Sequence, residues 1–162
     1  MKAIRAVVAL GSNLEDPAAQ VRTAFDEIGS IPGTKVLKRS ALFRTAPVGF
    51  LDQDPFINAC ALVETTLAPK ALLDALLAIE RLHGRVREIP NGPRTLDLDI
   101  VLYGGIAHHE HGLTIPHPRA GERAFVLAPL VDVWPDAEIP GQGRAAELLG
   151  RVRDQAIEKL AA

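Results

Sequence analysis

Two aspartates two residues apart, Asp97 and Asp99, lie in the stretch Gly92-Pro93-Arg94-Thr95-Leu96-Asp97-Leu98-Asp99-Ile100, which continues into Val101-Leu102-Tyr103. From Leu96 to Leu102 apolar residues recur with period two, the signature of a β-strand. Residues two apart on a strand share a face, so Leu96, Leu98, Ile100 and Leu102 are expected to enter a core while Asp97 and Asp99 point the other way together. Adjacent carboxylates repel unless a cation neutralises them. Oxygen ligands without nearby Cys or His favour Mg²⁺ over zinc. Arg94 adds a planar cation suited to phosphate oxygens. These residues suggest a magnesium–nucleotide site; the competing reading is an edge strand whose two solvated aspartates guard against aggregation.

Other residues could complete such a site. Phe56 and Asn58 share one face of a predicted strand, and an aromatic plane beside a carboxamide can stack on a flat heterocycle and pair with its polar edge. The alternative is a second buried face with the amide bonded to backbone. Arg81, Arg85 and Arg87 lie at or beyond the end of a predicted helix, where cations also suit the helix dipole. From Ala71 to Glu158 the chain has no lysine, a bias toward the bidentate phosphate binder. In Ile115-Pro116-His117-Pro118-Arg119, two prolines stiffen the backbone around an imidazole, which fits either a phosphate contact or a cap. His108, His109 and His111 sit on a polar tip beside glycines and are expected to be solvated rather than metal-bound.

The elements that must position these residues follow from spacing. Ile4 to Leu10 reads as a buried first strand. Gly11-Ser12-Asn13 then reads as a turn acting as a connector, for it matches neither glycine-rich phosphate loop. Asp16-Pro17 supplies an N-cap and a proline at the first helical position, and Val21, Phe25 and Ile28 mark the buried side of that helix. Thr34 to Thr45 is expected to form one strand, and Ala46 to Pro55 a structured loop of the kind that carries ligand contacts. Phe56 to Leu67 reads as a strand with Ile57, Ala59, Ala61 and Val63 in the core. A second helix runs from Pro69 toward Gly84, and Ile106 to Ile115 forms a short ribbon. From Trp134 the spacing predicts loop and then a closing amphipathic helix with Leu148 and Leu149, without chemistry.

The 162 residues fit one domain, and the net charge of −2 gives no general field for nucleic acid or anionic membrane. The single cysteine, Cys60, cannot form an intramolecular disulfide and fits a reducing compartment. No signal peptide is seen and no apolar run approaches the roughly 20 residues that span a bilayer. A cytoplasmic monomer is expected.

Taken in order, six pieces resemble the 6-hydroxymethyl-7,8-dihydropterin pyrophosphokinase family: Ala9 to Leu14, Phe43 to Gly49, Phe56 to Ala59, Gly84 to Arg87, Gly92 to Ile100, and Ile115 to Pro118 with Arg123 and Phe125. The resemblance implies an α+β fold, a ferredoxin-like antiparallel sheet flanked by helices in three α/β/α layers. It also implies transfer of the β and γ phosphates of ATP to the pterin's hydroxymethyl oxygen, with release of AMP. By it Asp97 and Asp99 would hold two Mg²⁺ ions, and Arg85, Arg94, Ile100, His117 and Arg123 would bind the nucleotide, the arginines and the histidine through its phosphates. Arg85 and Arg94 would join the aspartates as catalytic residues. Phe56 and Phe125 would sandwich the pterin, with Asn58 and the segment Thr45, Pro47, Val48, Gly49 on its edge. The chain departs from many relatives in the short Glu88-Ile89-Pro90-Asn91 segment and in Pro118, which puts part of the nucleotide contact in question. The alternatives are a catalytically silent ferredoxin-like binding module and a kinase that passes only the γ-phosphate.

Overall fold

The computed structural model describes residues 2–45, 54–84 and 95–160. In chain order the elements are β1 (Ile4–Ser12), α1 (Pro17–Gly29), β2 (Thr34–Arg39), β3 (Phe43–Thr45), β4 (Phe56–Thr65), α2 (Pro69–Leu82) and β5 (Asp97–Tyr103). A ribbon of β6 (His108–Glu110) and β7 (Leu113–Ile115) follows, then a 3-10 turn (Ala120–Glu122) and α3 (Ala124–Val133). The chain closes with β8 (Glu138–Ile139), β9 (Gly143–Arg144), α4 (Ala145–Gly150) and β10 (Ile157–Lys159).

β1 lies between β4 and β5, and β2 and β3 share the far edge of β4, with β10 outside β3; all pairings are antiparallel. This is the ferredoxin-like order that the resemblance implies. α1 starts where expected: the Asp16 carboxylate accepts from the Ala19 amide at 3.4 Å, and Pro17 follows. Its Val21, Phe25 and Ile28 join Leu72, Leu76 and Ile79 of α2 over one face of the sheet, against Val8, Leu10, Ala59, Val63, Leu98 and Ile100. On the opposite face Val7, Cys60 and Leu62 pack under Leu127, Leu130 and Val133 of α3 and Leu148 of α4. The result is three layers, helix on sheet on helix.

The alternation in the aspartate strand holds only as far as Ile100. The β1–β5 pairing sets Val8 opposite Ile100 but Val7 opposite Leu102, so Val101 is an extra residue, a β-bulge. Leu102 therefore joins Val101 in the core under α3, not the core of Leu98 and Ile100. The expectation of one apolar face is corrected by this slip: beyond Asp99 both faces of β5 are buried. The bulge lets one strand carry carboxylates at its start and a two-sided core at its end.

Three further expectations change. Thr34 to Thr45 is broken into two strands, because the Ser40 hydroxyl accepts the Cys60 amide at 2.8 Å and the Asp132 carboxylate accepts the Ala41 amide at 2.7 Å. These bonds take backbone out of ladder geometry. The β4 strand stops at Thr65, where the Thr65 hydroxyl accepts the Leu67 amide at 3.1 Å. After Trp134 the chain adds the β8–β9 ribbon before α4 and ends in β10 rather than in a helix.

β5 is an outer strand, and α2 caps it. Glu80, 2% exposed, accepts the Leu98 amide on its Oε2 at 2.7 Å. This bond sits between the two aspartates in sequence and fixes the strand that carries them. Glu80→Leu leaves that amide without its acceptor and is expected to lower stability by about 2 kcal/mol, whereas Glu80→Gln, which keeps an acceptor oxygen, should lose less. Urea unfolding followed by circular dichroism measures both; equal stability of Glu80→Leu and the parent would contradict the assignment.

Candidate active site

The site lies on the α3 face of the sheet, where the central strand is bare. Ala9 and Gly11 alternate with inward-facing Val8 and Leu10 near the end of β1. Gly11 is paired with Asn58 of β4 on one side and with Asp97 of β5 on the other, while Ala9 is paired with Cys60 and Asp99. Small residues on the middle strand thus leave a floor between an amide wall and a carboxylate wall. Two strand spacings put those walls roughly 10 Å apart. Above the floor is a cavity of about 520 Å³, lined among others by Thr45, Phe56, Asn58, Asp97, Asp99, His117, Arg123 and Phe125.

On the β4 side, the Asn58 Nδ2 donates to the buried Thr45 hydroxyl at 2.6 Å, which sets the direction of the carboxamide. A Cβ on Gly11 would come within 2.8 Å of the Asn58 Oδ1. Glycine is therefore needed here for close approach, not for a turn. The half-buried rings of Phe56 and Phe125 border the same space, one from the sheet and one from the first turn of α3.

On the β5 side, Asp97 is half-buried and Asp99 exposed. Among the described residues no group of three or more His, Cys, Asp and Glu side chains forms a metal cluster. Two carboxylates alone suit a magnesium ion that fills its shell from waters and substrate phosphates. His117 and Arg123 bring donors to the same cavity. The Arg119 backbone amide donates to the His117 Nδ1 at 3.0 Å, so the neutral ring carries its proton on Nε2, as a donor. Burial, then the charges of Arg123 and Arg119, lower the pKa of His117 from its ordinary value. The guanidinium of Arg123 stands 5.5 Å from the centre of the Phe125 ring. Burial and Arg119 lower its pKa while Asp99 and Glu122 oppose the change; with so high an ordinary value it stays cationic.

Of the sequence-predicted residues, Thr45, Phe56, Asn58, Asp97, Asp99, His117, Arg123 and Phe125 meet around one cavity. Ile100 does not: its side chain is 1% exposed and belongs to the core. Pro47, Val48, Gly49, Arg85 and Arg94 lie outside the described residues, as does the Glu88–Asn91 segment. His108 and His109 bond to Glu110 and Thr114 on the ribbon, apart from the cavity.

The expectation that Gly11-Ser12-Asn13 is a mere connector is overturned. Gly11 and Ser12 belong to β1, and the buried Ser12 hydroxyl donates to the Thr95 carbonyl at 2.5 Å. The buried Asn13 Nδ2 donates to the Asp54 carbonyl at 3.0 Å. One strand end thereby holds the chain on both sides of the cavity, just before β5 and just before β4. Leu73 and Leu77 of α2 also border the cavity. The sequence signal was present in part: small residues alternating with Val8 and Leu10 mark a strand approached closely by other groups.

A ferredoxin-like sheet with carboxylates facing a histidine and an arginine, beside an amide and two aromatic rings, is the layout of a transferase that joins a phosphate donor to a flat acceptor. The chain belongs to the 7,8-dihydro-6-hydroxymethylpterin-pyrophosphokinase family, whose model matches residues 7–135. It is similar to the 2-amino-4-hydroxy-6-hydroxymethyldihydropteridine pyrophosphokinase of Pseudomonas aeruginosa, 45% identical over 156 residues that make up 96% of each chain. It is also similar to the folic acid synthesis protein fol1 of Pneumocystis carinii, 46% identical over 136 residues, 84% of this chain and 18% of that longer protein. Its fold is similar to that of Plasmodium falciparum HPPK-DHPS crystallised with pterin and p-hydroxybenzoate. The TM-score is 0.76 at 16% identity, covering 99% of this chain and 47% of the other, so the chain spans about half that length. The expectation of a pyrophosphokinase of folate biosynthesis is borne out.

Gly11→Ala should leave the fold intact, since alanine suits a strand, and displace the Asn58 carboxamide. The expected result is a pterin dissociation constant raised about tenfold, measured by fluorescence titration; unchanged affinity would contradict the role of the bare floor. His117 gives a pH prediction. Its native pKa lies below the ordinary value of about 6.5, so the unfolded chain takes up this proton more readily than the folded one. The stability it contributes is present above pH 6.5 or so and is lost as the pH falls through that value toward the depressed native one. His117→Asn, whose Oδ1 takes the place of Nδ1 and can still accept the Arg119 amide, should therefore lose less stability than the parent in that interval, by urea unfolding at a series of pH values.

Proposed function

We propose that the chain transfers pyrophosphate from Mg²⁺-bound ATP to 6-hydroxymethyl-7,8-dihydropterin, giving AMP and the pterin diphosphate, with Asp97 and Asp99 as the metal ligands. The observation that carries this reading is the pairing of Gly11 with both Asn58 and Asp97 under one cavity. An acceptor held at the amide wall and a triphosphate held at the carboxylate wall meet over Gly11, without a side chain between them.

The pterin is flat, with donors and acceptors along one edge. Phe56 and Phe125 offer faces to stack on, and Asn58, fixed by Thr45, offers the pairing edge. So held, the hydroxymethyl oxygen is aimed at the β-phosphorus of ATP, which converts an encounter in solution into a positioned step. That oxygen forms the new bond to the β-phosphorus as the bridge from the α-phosphorus breaks. The bridging oxygen leaves with AMP, and the hydroxyl proton is lost to solvent. Arg123, cationic, and His117, donating from Nε2, neutralise and hydrogen-bond phosphate oxygens as charge shifts toward AMP. Arg85 and Arg94 are assigned the same part from the family pattern. Asp97 and Asp99 would hold magnesium, with two ions expected, and the metal would supply further neutralisation of the triphosphate. A cytoplasmic monomer that meets neither nucleic acid nor membrane is the accompanying reading. No helix among the described residues is long and apolar enough to cross a membrane.

The test is Asp97→Asn and Asp99→Asn. Each should lower turnover about a thousandfold and leave pterin affinity near that of the parent, by product chromatography and fluorescence titration. Near-parental turnover of either variant at saturating Mg²⁺ would sink the metal assignment.

A further inference from the structure

His117 and Arg123 stand at the two ends of a short segment whose only regular structure is the 3-10 turn Ala120–Glu122. Such a segment has little packing of its own with which to fix two side chains. Two glutamines from the last quarter of the chain supply what it lacks. Gln142, in the turn between β8 and β9, donates from Nε2 to the His117 carbonyl at 3.0 Å and accepts the Gly121 amide on Oε1 at 2.7 Å. Gln155, just before β10, donates from Nε2 to the Glu122 carbonyl at 2.7 Å and accepts the Ala124 amide on Oε1 at 2.9 Å. Each carboxamide uses both ends, and the second brackets Arg123 by bonding the residue on either side of it.

The surroundings fit this use. A Cβ on Gly121 would come within 2.7 Å of the Gln142 Oε1, so glycine is what admits the first clamp. The Ala124 amide opens α3 and has no partner within the helix; Gln155 accepts it. Gln155 is in turn fixed by β10, which pairs Ile157 with Thr45 of β3. Both glutamines lie beyond residue 135, where the family match ends.

The structure assigns Gln142 and Gln155 as positioning residues that hold the His117–Arg123 segment in the geometry that receives the nucleotide's phosphates. This rests on the reading of His117 and Arg123 as phosphate contacts given above. Neither glutamine lines the cavity; Gln142 acts through the backbone of His117 and Gly121, and Gln155 through the backbone of the two residues that flank Arg123.

The test uses the full chain and a probe, Mg²⁺ with α,β-methylene-ATP, in which the bond to be broken is blocked. Gln142→Met and Gln155→Met keep length and shape without the paired bonds. Each should raise the probe's dissociation constant about fivefold to tenfold. Gln155→Glu adds a readout that a merely structural role would not move. A carboxylate cannot donate to the Glu122 carbonyl, but a protonated carboxyl can. Relative to the parent at the same pH, the affinity of Gln155→Glu should therefore recover as the pH falls toward the carboxyl range of about 4–5, while that of Gln155→Met stays flat. If a methionine variant does not fold, Gln155→Glu at two pH values carries the test within one molecule. Variants that melt lower yet bind the probe as the parent does, with no recovery in Gln155→Glu, would overturn the inference alone. A parent chain that does not bind the probe would overturn the functional reading and this inference with it.

Discussion

Two carboxylates on one short strand face are a constraint that the rest of this structure answers. Asp97 and Asp99 repel each other, and a strand can hold them together only if its other contacts outweigh that repulsion. Leu98 and Ile100, on the opposite face, are almost wholly buried against α1 and α2. Glu80 holds the backbone between the aspartates, and the bulge at Val101 turns the remainder of β5 into a two-sided core. The aspartates thus sit on the anchored half of a strand locked at its far end. Under the proposed metal assignment, rigidity of this kind would have the site ready before the metal and the nucleotide arrive.

The sheet also sets the distance between the two halves of the reaction. In the proposed reading, acceptor recognition belongs to β4, through Phe56 and Asn58, and phosphate and metal recognition to β5 and the segment entering α3. β1 separates them by one strand and contributes almost nothing in side chain, with Ala9 and Gly11 facing the cavity. Its contribution is in bonds at its end, where Ser12 and Asn13 hold Thr95 and Asp54. A larger residue at position 11 would fill the space in which the two substrates must meet.

Much of this was legible in the sequence where a local period decides the outcome. The pairing of Asp97 with Asp99, the core face of Ile57 to Val63, and the start of α1 at Asp16-Pro17 each follow from neighbours within a few residues. What was not legible depends on partners far along the chain. The Val101 bulge arises from the register against β1. The break between β2 and β3 comes from Asp132, some ninety residues away. Ser12 and Asn13 look like turn residues because Ser and Asn favour turns, and only the return of the chain at Thr95 and Asp54 gives them work. Gln142 and Gln155 carry no local signal, since a glutamine in a loop is ordinarily solvated.

The central claim is that one cavity brings a pterin alcohol to the β-phosphorus of ATP, and product analysis tests it most directly. The chain is incubated with ATP, Mg²⁺ and 6-hydroxymethyl-7,8-dihydropterin, and the nucleotides are separated. AMP formed in step with the pterin diphosphate, and only when the pterin is present, is the predicted result. ADP in its place, or no nucleotide product, would contradict it.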